Sequence, residues 1–465
     1  MQLSLGMQIT AQQRAAYLAD PFRRLFPPDS KGALLSSAVP TANYQTDAGV
    51  VLAGFGDPVG LARDTSRGAP SADPSRPAFL QTVLADRPTR GRQPRTGVRN
   101  LLNYSEQFDN AAWVATQADT PVFVSEKGAW RLTANSTFPR LVQTPSLPEN
   151  TTFTVVSIVE PETAVRFRVQ YISRANTVTQ VAFVLVGDGT ASAGGTIIPL
   201  SDGRYECRVT LNTQEGATTP ELRVFNNDSP NAASGGWSTD GPGVSFLAYR
   251  ASVEVGSVVN PYQHRVTIND ITEAGVPDVP FYRFNGTNTR LEGNATARDI
   301  LKGAPGVTFI CAFRPASLAA NQHLFSFATN AGSVRFDLAL NTAGRLIATY
   351  RRTDGESSTF FIAPSGGSVV GETKILTVTA EFANGGTGAL VFRENGQVVG
   401  TADIAGTGNF SDTSSAAVFL ARNLGNTQFL NGQLFREIVI LGRRASDAEI
   451  AAAEARLAAL TGVTL

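Results

Sequence analysis

In VRFRVQYI (165–172), Val165, Phe167, Val169 and Tyr171 alternate with Arg166, Arg168 and Gln170. A period of two turns one set of side chains to a core and the other to water, which predicts a half-buried strand. TFTVVSIV (152–159), QVAFVLV (180–186), YECRVTL (205–211), ELRVF (221–225) and VSFLAYRASVE (244–254) read as further strands. Turn clusters such as GDGTASAGG and SDGR separate them. No helical period falls between these runs, so they predict an antiparallel sandwich and not βαβ units.

A second strand series follows: VTFICAF (307–313), HLFSFA (323–328), VRFDLAL (334–340), RLIATY (345–350), ILTVTAEF (375–382), ALVFREN (389–395), AVFLAR (417–422) and LFREIVIL (434–441). Asn395-Gly396 predicts a tight hairpin, because a type I′ turn needs positive φ at both central positions. Ser446 and Glu449 make a capping-box pattern. Ile450, Ala453, Leu457 and Leu460 recur at helical spacing, and Gly462 stops the helix. Its apolar stripe needs a sheet or a neighbour to cover it.

The first hundred residues lack such periodicity. TAQQRAAYLAD (10–20) predicts one short helix, with Thr10 and Gln13 as its capping pair and Pro21 as its stop. In the following PFRRLFPP, Phe22, Arg23, Arg24 and Phe26 are candidates for docking on a partner; a lid on the same chain is the duller alternative. Residues 27–99 are rich in Pro, Gly, Asp and Ser and carry Arg87, Arg90, Arg92, Arg95 and Arg99. This stretch reads as a solvated linker, or as a strap in which Arg92 and Arg95 dock on an acidic partner.

The expected fold is therefore all-β: two antiparallel β-sandwiches, an irregular N-terminal arm with a short helix, and a C-terminal capping helix. The expected divisions are an anchoring arm and linker over 1–99, a first sandwich over 100–265, a connector over 266–279 and a second sandwich over 280–465.

Charge narrows the function. The 465 residues hold 39 basic and 39 acidic side chains, and only 17% are charged. A neutral chain without a basic face is a poor nucleic-acid binder, since phosphate neutralisation dominates that affinity. No run of about 18 apolar residues exists, which argues against membrane insertion. MQLSLGMQITAQQ lacks a basic stretch followed by an apolar one, so no secretory signal is expected. Two cysteines, Cys207 and Cys311, lie in separate apolar strands and read as buried free thiols. With two histidines, His264 and His323, a His-based metal site or triad is barely constructible. No nucleophile elbow or phosphate-binding loop occurs.

Sugar recognition is the sharper possibility, because sugars stack their apolar ring faces on aromatics and bond their hydroxyls to Asn, Asp and Arg. Trp237, in the loop SGGWSTDGPG, is the leading exposed aromatic. Trp113 is a second candidate, although Trp113 and Trp130 occupy patterned positions where core packing is favoured. A calcium site at Asp337, Asn341 and Asn423 is conceivable, but each reads equally well as a turn residue. The expectation is no catalytic residue, no metal and no cofactor.

Three stretches resemble modules of tailed-phage virion proteins. GDPVGLARDTSRG (56–68) with ADRPT (85–89) resembles a lead-in of phage minor structural proteins. NLLNYSEQFDNAAW (100–113), DGRYECRV (202–209) and YRASVEVGSVVNPY (249–262) resemble the opening, middle and closing segments of a phage jelly-roll module. Arg204 stands where that family commonly has Trp, and Ser252 where it has Gln; Glu254, Gly256, Pro261 and Tyr262 match. FYRFNGTNTRLEG, GVTFICAFRP, RENGQVVG and FLNGQLFREIVILGRRASDAEI resemble a laminin-G-like, concanavalin-type sandwich. VTINDITEAGVPD (266–278) resembles the joint between such modules.

The resemblance implies a fibre, spike or minor tail protein of a phage or gene-transfer-agent-like particle, made in the bacterial cytoplasm. It implies virion proteins as partners through the N-terminal arm, host surface polysaccharide as a ligand, and a homo-oligomer, most simply a trimer. Purely structural decoration is the alternative. Glycanases related to concanavalin-type sandwiches carry an E-x-D-x-x-E strand, which is missing here, so catalysis is not expected.

Overall fold

The computed structural model describes residues 20–27, 30–66, 73, 75–135, 139–216, 221–224, 242–329, 334–411 and 415–465. The chain forms two compact units, Thr96–Asp278 and the combination of Met1–Arg95 with Val279–Leu465. Both are antiparallel β-sandwiches, as the period-two runs require. Of the predicted helix over 10–20 only Asp20 is among the described residues, and Pro21 does not stop a helix but begins the short one at Pro21–Arg24, with Asp20 as its cap. Trp237 and most of its loop lie outside the described residues.

The Thr96–Asp278 unit packs two six-stranded sheets. The first runs in the order Gly195–Pro199, Tyr205–Asn212, Thr152–Pro161, Ser245–Val255, Ala129–Thr133, Val122–Val124. The second runs Thr190–Ala191, Val178–Val184, Arg166–Ile172, Glu221–Val224, Arg140–Gln143, Val114–Thr116. Aromatic residues from the two inner faces meet: Phe153 and Tyr171 have ring centroids 4.7 Å apart, Phe167 and Phe246 5.9 Å. Such edge-on contacts add to the area they bury. Arg168 and Gln170, expected in water, are buried on the outer face. There Arg168 Nη1 donates to Gln180 Oε1 at 3.0 Å and Arg223 Nη1 to Gln170 Oε1 at 3.1 Å, so long polar side chains from three strands lie over one another. Residues 266–278 are not an open connector: Gln263–Thr267 and Asp270–Glu273 pair as a hairpin.

In the other unit a nine-stranded sheet runs Asn43–Tyr44, Leu61–Arg63, Ala78–Leu80, Leu291–Gly293, Ser415–Leu420, Gln322–Thr329, Val334–Leu340, Leu346–Tyr350, Thr359–Ile362. Facing it is a sheet in the order Thr89–Pro94, Asp278–Asn285, Asn431–Leu441, Gly306–Pro315, Lys374–Glu381, Gly386–Glu394, Gln397–Ile404. Asn395 and Gly396 both have positive φ, 46° and 78°, and close the last hairpin as their sequence demands. The C-terminal helix spans Asp447–Thr461 with its capping box at Ser446 and Glu449 and a left-handed Gly462. Its apolar side is covered by Phe22, Leu25, Phe26, Phe281, Phe435 and Val439.

This unit corrects the reading of the N-terminal hundred residues. They are not an arm and linker. Gly32–Ser36 pairs with Glu437–Leu441, residue for residue from Gly32↔Leu441 to Ser36↔Glu437. Leu61–Arg63 and Ala78–Leu80 extend the nine-stranded sheet, and the arginine-rich stretch contains the strand Thr89–Pro94. Phe22 and Phe26 are buried under the C-terminal helix and are unavailable for docking on a partner. Arg23 Nη1 donates to Thr65 O at 3.4 Å, while Arg24 is exposed. Nor are the arginines a solvated strap. Arg90 is buried and donates to Ser37 O (2.9 Å) and Ala53 O (2.7 Å). Arg87 donates to carbonyls of Gln45, Gln81 and Thr82. Arg92 lies 4.7 Å over the Phe55 ring. Arg95 is exposed, with Nη1 3.3 Å from Ala459 O. The alternation rule misses these strands because they are short and buried on both faces.

Candidate functional site

Among the described residues, an organised polar concavity lies on the outer face of the first sheet of the Thr96–Asp278 unit. It is built by a β-bulge. Ile158 pairs with Arg250 and Val159 with Ala248, so Tyr249 is an extra residue in its strand. A bulge sends two successive side chains to one face. Here Tyr249 and Arg250 both point outward, while Ala248 and Ala251 face the core. The signal is visible in the sequence as a break in alternation: Phe246, Ala248, Ala251 and Val253 step by two, three and two. The sequence reading passed over it.

After the strand the chain folds back over its own end. Gly256, at φ 104°, donates to Thr152 O at 2.7 Å, and Thr154 Oγ1 donates to Gly256 O at 2.8 Å. Asn260 Nδ2 donates to Glu254 Oε2 at 2.9 Å. The Tyr262 hydroxyl is 2.7 Å from Ser105 Oγ. Burial and the nearby Glu106 push that hydroxyl well above its usual range, so it stays protonated. The Arg250 guanidinium lies 4.4 Å over the Tyr262 ring.

The result is a shallow, open cleft of about 40 Å³ whose lining includes Val156, Glu206, Arg250, Ser252, Glu254, Asn260 and Tyr262. Val156, Val259 and Tyr262 give it apolar surface, and the carboxylates, the amide and the guanidinium converge on it. Glu206 accepts from Arg208 Nε at 2.5 Å. Among the described residues no side chain or carbonyl accepts a hydrogen bond from Arg250, so its planar donors are available to a ligand. An apolar floor with a few convergent, preorganised polar groups is the general form of a small-molecule site. Ser252, Glu254 and Tyr262, singled out by the jelly-roll resemblance, all line this cleft, and Gly256 and Pro261 lie in the segment that folds over it.

The tryptophans do not line it. Trp113 is buried, donates from Nε1 to Tyr104 O at 2.9 Å and packs 5.2 Å from Phe108; it is a core residue and cannot act as an exposed stacking platform. Trp130 is half-buried, with Nε1 2.7 Å from Glu106 O and its ring 5.2 Å from Phe123. Trp237 lies outside the described residues.

The conceived calcium ligands serve other ends. Asn341 Oδ1 accepts from the amides of Ala343 and Arg345, and Asn423 Oδ1 from those of Thr427 and Gln428; both hold turns. Asp337 is buried on the outer face of the nine-stranded sheet, across the ladder from Ser326. Its Oδ2 is 3.9 Å from His323 Nδ1, whose ring Nε2 lies 2.7 Å from Gln428 Oε1. Burial pushes the Asp337 carboxyl up to about 7 and holds the His323 imidazole below its ordinary value. Among the described residues no group of three or more His, Cys, Asp or Glu could hold a metal ion.

The sequence matches no family profile and no curated protein. Solved structures similar to parts of the chain include the CBM40 module of the Ruminococcus gnavus IT-sialidase bound to α2,3-sialyllactose, at 18% identity and TM-score 0.31 over 37% of this chain and 95% of that one. The native heptameric SAP-like pentraxin of Limulus polyphemus aligns at 14% identity and TM-score 0.26 over 32% and 70%. The NanB sialidase of Streptococcus pneumoniae aligns at 16% and 0.27 over 32% and 23%.

Proposed function

We propose that the protein is a non-enzymatic component of a phage or phage-like particle, and that its jelly-roll unit recognises a glycan of the host surface through the Arg250 cleft. The observation that carries the glycan part is the uncommitted Arg250 guanidinium, 4.4 Å over the Tyr262 ring and beside Ser252, Glu254 and Asn260. Planar donors and fixed acceptors over apolar surface suit the paired hydroxyls and the apolar faces of a sugar. The virion part is supported by the order of the three resembling segments along the chain. A single shallow cleft binds weakly, and a homo-oligomer, a trimer in the simplest case, would turn weak contacts into avidity. Particle attachment then falls to the folded unit that carries residues 20–95, since its phenylalanines form no free arm.

The test is binding of the purified full chain, and of its Arg250→Ala variant, to host cells and to an array of bacterial surface glycans. Wild type should bind and the variant should lose at least about tenfold in affinity, the loss of one or two charge-assisted hydrogen bonds. A folded wild-type chain that binds no cell or glycan, in a particle that needs the protein for assembly, would replace this reading with structural decoration. New reducing ends released from host polysaccharide would replace it with a depolymerase.

A further inference from the structure

The bulge does more than place Arg250, and what it does rests on the glycan reading above. We propose that the recognition face continues past the cleft to a second subsite at Tyr249 and Arg204, and that the ligand is an uncharged glycan of two or more linked sugars.

The second subsite shares one element with the first, a guanidinium over a tyrosine ring, although Arg204, unlike Arg250, is also paired with a carboxylate, that of Asp202. Tyr249 is the inserted residue, so it leaves the sheet on the same face as Arg250 with its Cα only about 3.8 Å away. The lower part of its side chain packs with Val124, Ala129 and Leu247. Arg204 lies 4.7 Å over its ring. The Tyr249 hydroxyl donates to Glu160, and Arg204 Nε to Asp202 Oδ2 at 2.7 Å. One guanidinium carbon thus lies 4.4 Å over the Tyr262 ring and another 4.7 Å over the Tyr249 ring, and the two strand residues involved, Tyr249 and Arg250, leave the sheet on one face. Both guanidinium groups are fixed before any ligand arrives, which lowers the entropy cost of binding.

The charge of this face argues for an uncharged ligand. Lys127 pairs with Glu160 at 2.6 Å, Arg131 with Glu162 at 2.6 Å, Arg204 with Asp202, and Arg208 with Glu206. A polyanion would have to displace carboxylates already hydrogen-bonded to these four cations, and at Arg250, which has no such pair, it would meet the carboxylates of Glu206 and Glu254 in the same cleft. Hydroxyl groups can share these donors and acceptors without breaking the pairs.

The experiment titrates the full chain by calorimetry with uncharged oligosaccharides of one to eight units taken from the array, and with polysialic acid as the polyanion. Wild type should gain at least about tenfold in affinity between the monosaccharide and the longer chains, and should bind polysialic acid more weakly than any of them. Arg204→Ala and Arg204→Lys should both cancel that gain and leave monosaccharide binding unchanged, since lysine keeps the charge but not the plane. Both variants are surface changes, and circular dichroism checks their folding. Affinity independent of chain length, an Arg204→Ala variant that keeps the gain, or preference for polysialic acid would each overturn the second subsite while leaving the cleft in place. A folded wild type that binds no sugar at all would overturn both.

Discussion

Removing residues 1–95 should unfold the sandwich built from Val279–Leu465 and should not merely detach an arm. The truncation deletes Phe22, Leu25, Phe26, Leu34, Leu35, Val59, Leu61 and Phe79, all buried. At about 1.5–3 kcal/mol for each large apolar side chain, these contribute roughly 12–24 kcal/mol of burial. A compact denatured state lowers that by roughly 10–40%. What remains, roughly 7–22 kcal/mol, is as large as the roughly 5–15 kcal/mol by which a whole domain is stable. The loss also bares the backbone of Glu437–Leu441, which Gly32–Ser36 covers, and uncovers one side of the C-terminal helix. The assay compares the full chain with the 96–465 fragment by hydrogen exchange and near-ultraviolet dichroism. In the fragment the amides of Gly306–Pro315 and Lys374–Glu381 should exchange freely, while those of Thr152–Pro161 and Ser245–Val255 stay protected. Protection of Gly306–Pro315 in the 96–465 fragment would refute the reasoning and restore the first hundred residues as an appendage.

Other expectations are narrower. Asp337 has its folded-state pKa raised from 3.8 to about 7, so its contribution to stability is full below pH 4 and is lost as pH rises through 7. Asp337→Asn should therefore gain on wild type between pH 5 and pH 8, by up to about 4 kcal/mol at the top of that range from roughly three pKa units; parallel urea-unfolding curves at the two pH values would defeat this. His323, held below its ordinary value, works in the opposite sense and costs stability as pH falls below about 6.5. Glu454, on the helix and almost wholly buried, accepts from Arg393 Nε at 3.0 Å and Nη2 at 2.9 Å. Glu454→Ala leaves that cation half-buried and should cost about 3 kcal/mol in urea unfolding; a change under about 1 kcal/mol would mean that water already screens the pair. Cys207 and Cys311 are buried, and burial pushes both thiols up. A thiol reagent at pH 8 should find neither in the native protein and both in guanidinium; reaction of either under native conditions would show that its strand opens.

Local chemistry made several elements legible in the sequence. The capping box at Ser446 and Glu449 and the Asn395-Gly396 turn satisfy their backbone within a few residues, so no distant contact is needed to specify them. The period-two strands from 152 to 254 and from 307 to 441 were legible for a similar reason, since one wet face and one dry face leave an alternating record. The cleft itself was not legible: Ser252, Glu254, Gly256, Pro261 and Tyr262 stood out only through a resemblance, and the aromatic pattern pointed instead to Trp237 and Trp113. Tertiary structure decided the rest. Gly32–Ser36 finds its partner some four hundred residues away, and a five-residue strand dry on nearly every position carries no period to read. Arg90 looks like a solvated charge until the carbonyls of Ser37 and Ala53 are brought to it. Trp113 could have stacked on a sugar or filled a core, and only the closing of two sheets over it chose the core. Tyr249 and Arg250 are neighbours in any conformation. It took the slip of one residue against Ile158 and Val159 to turn both to the same face, because the direction of a side chain from a strand is set by the partner it pairs with.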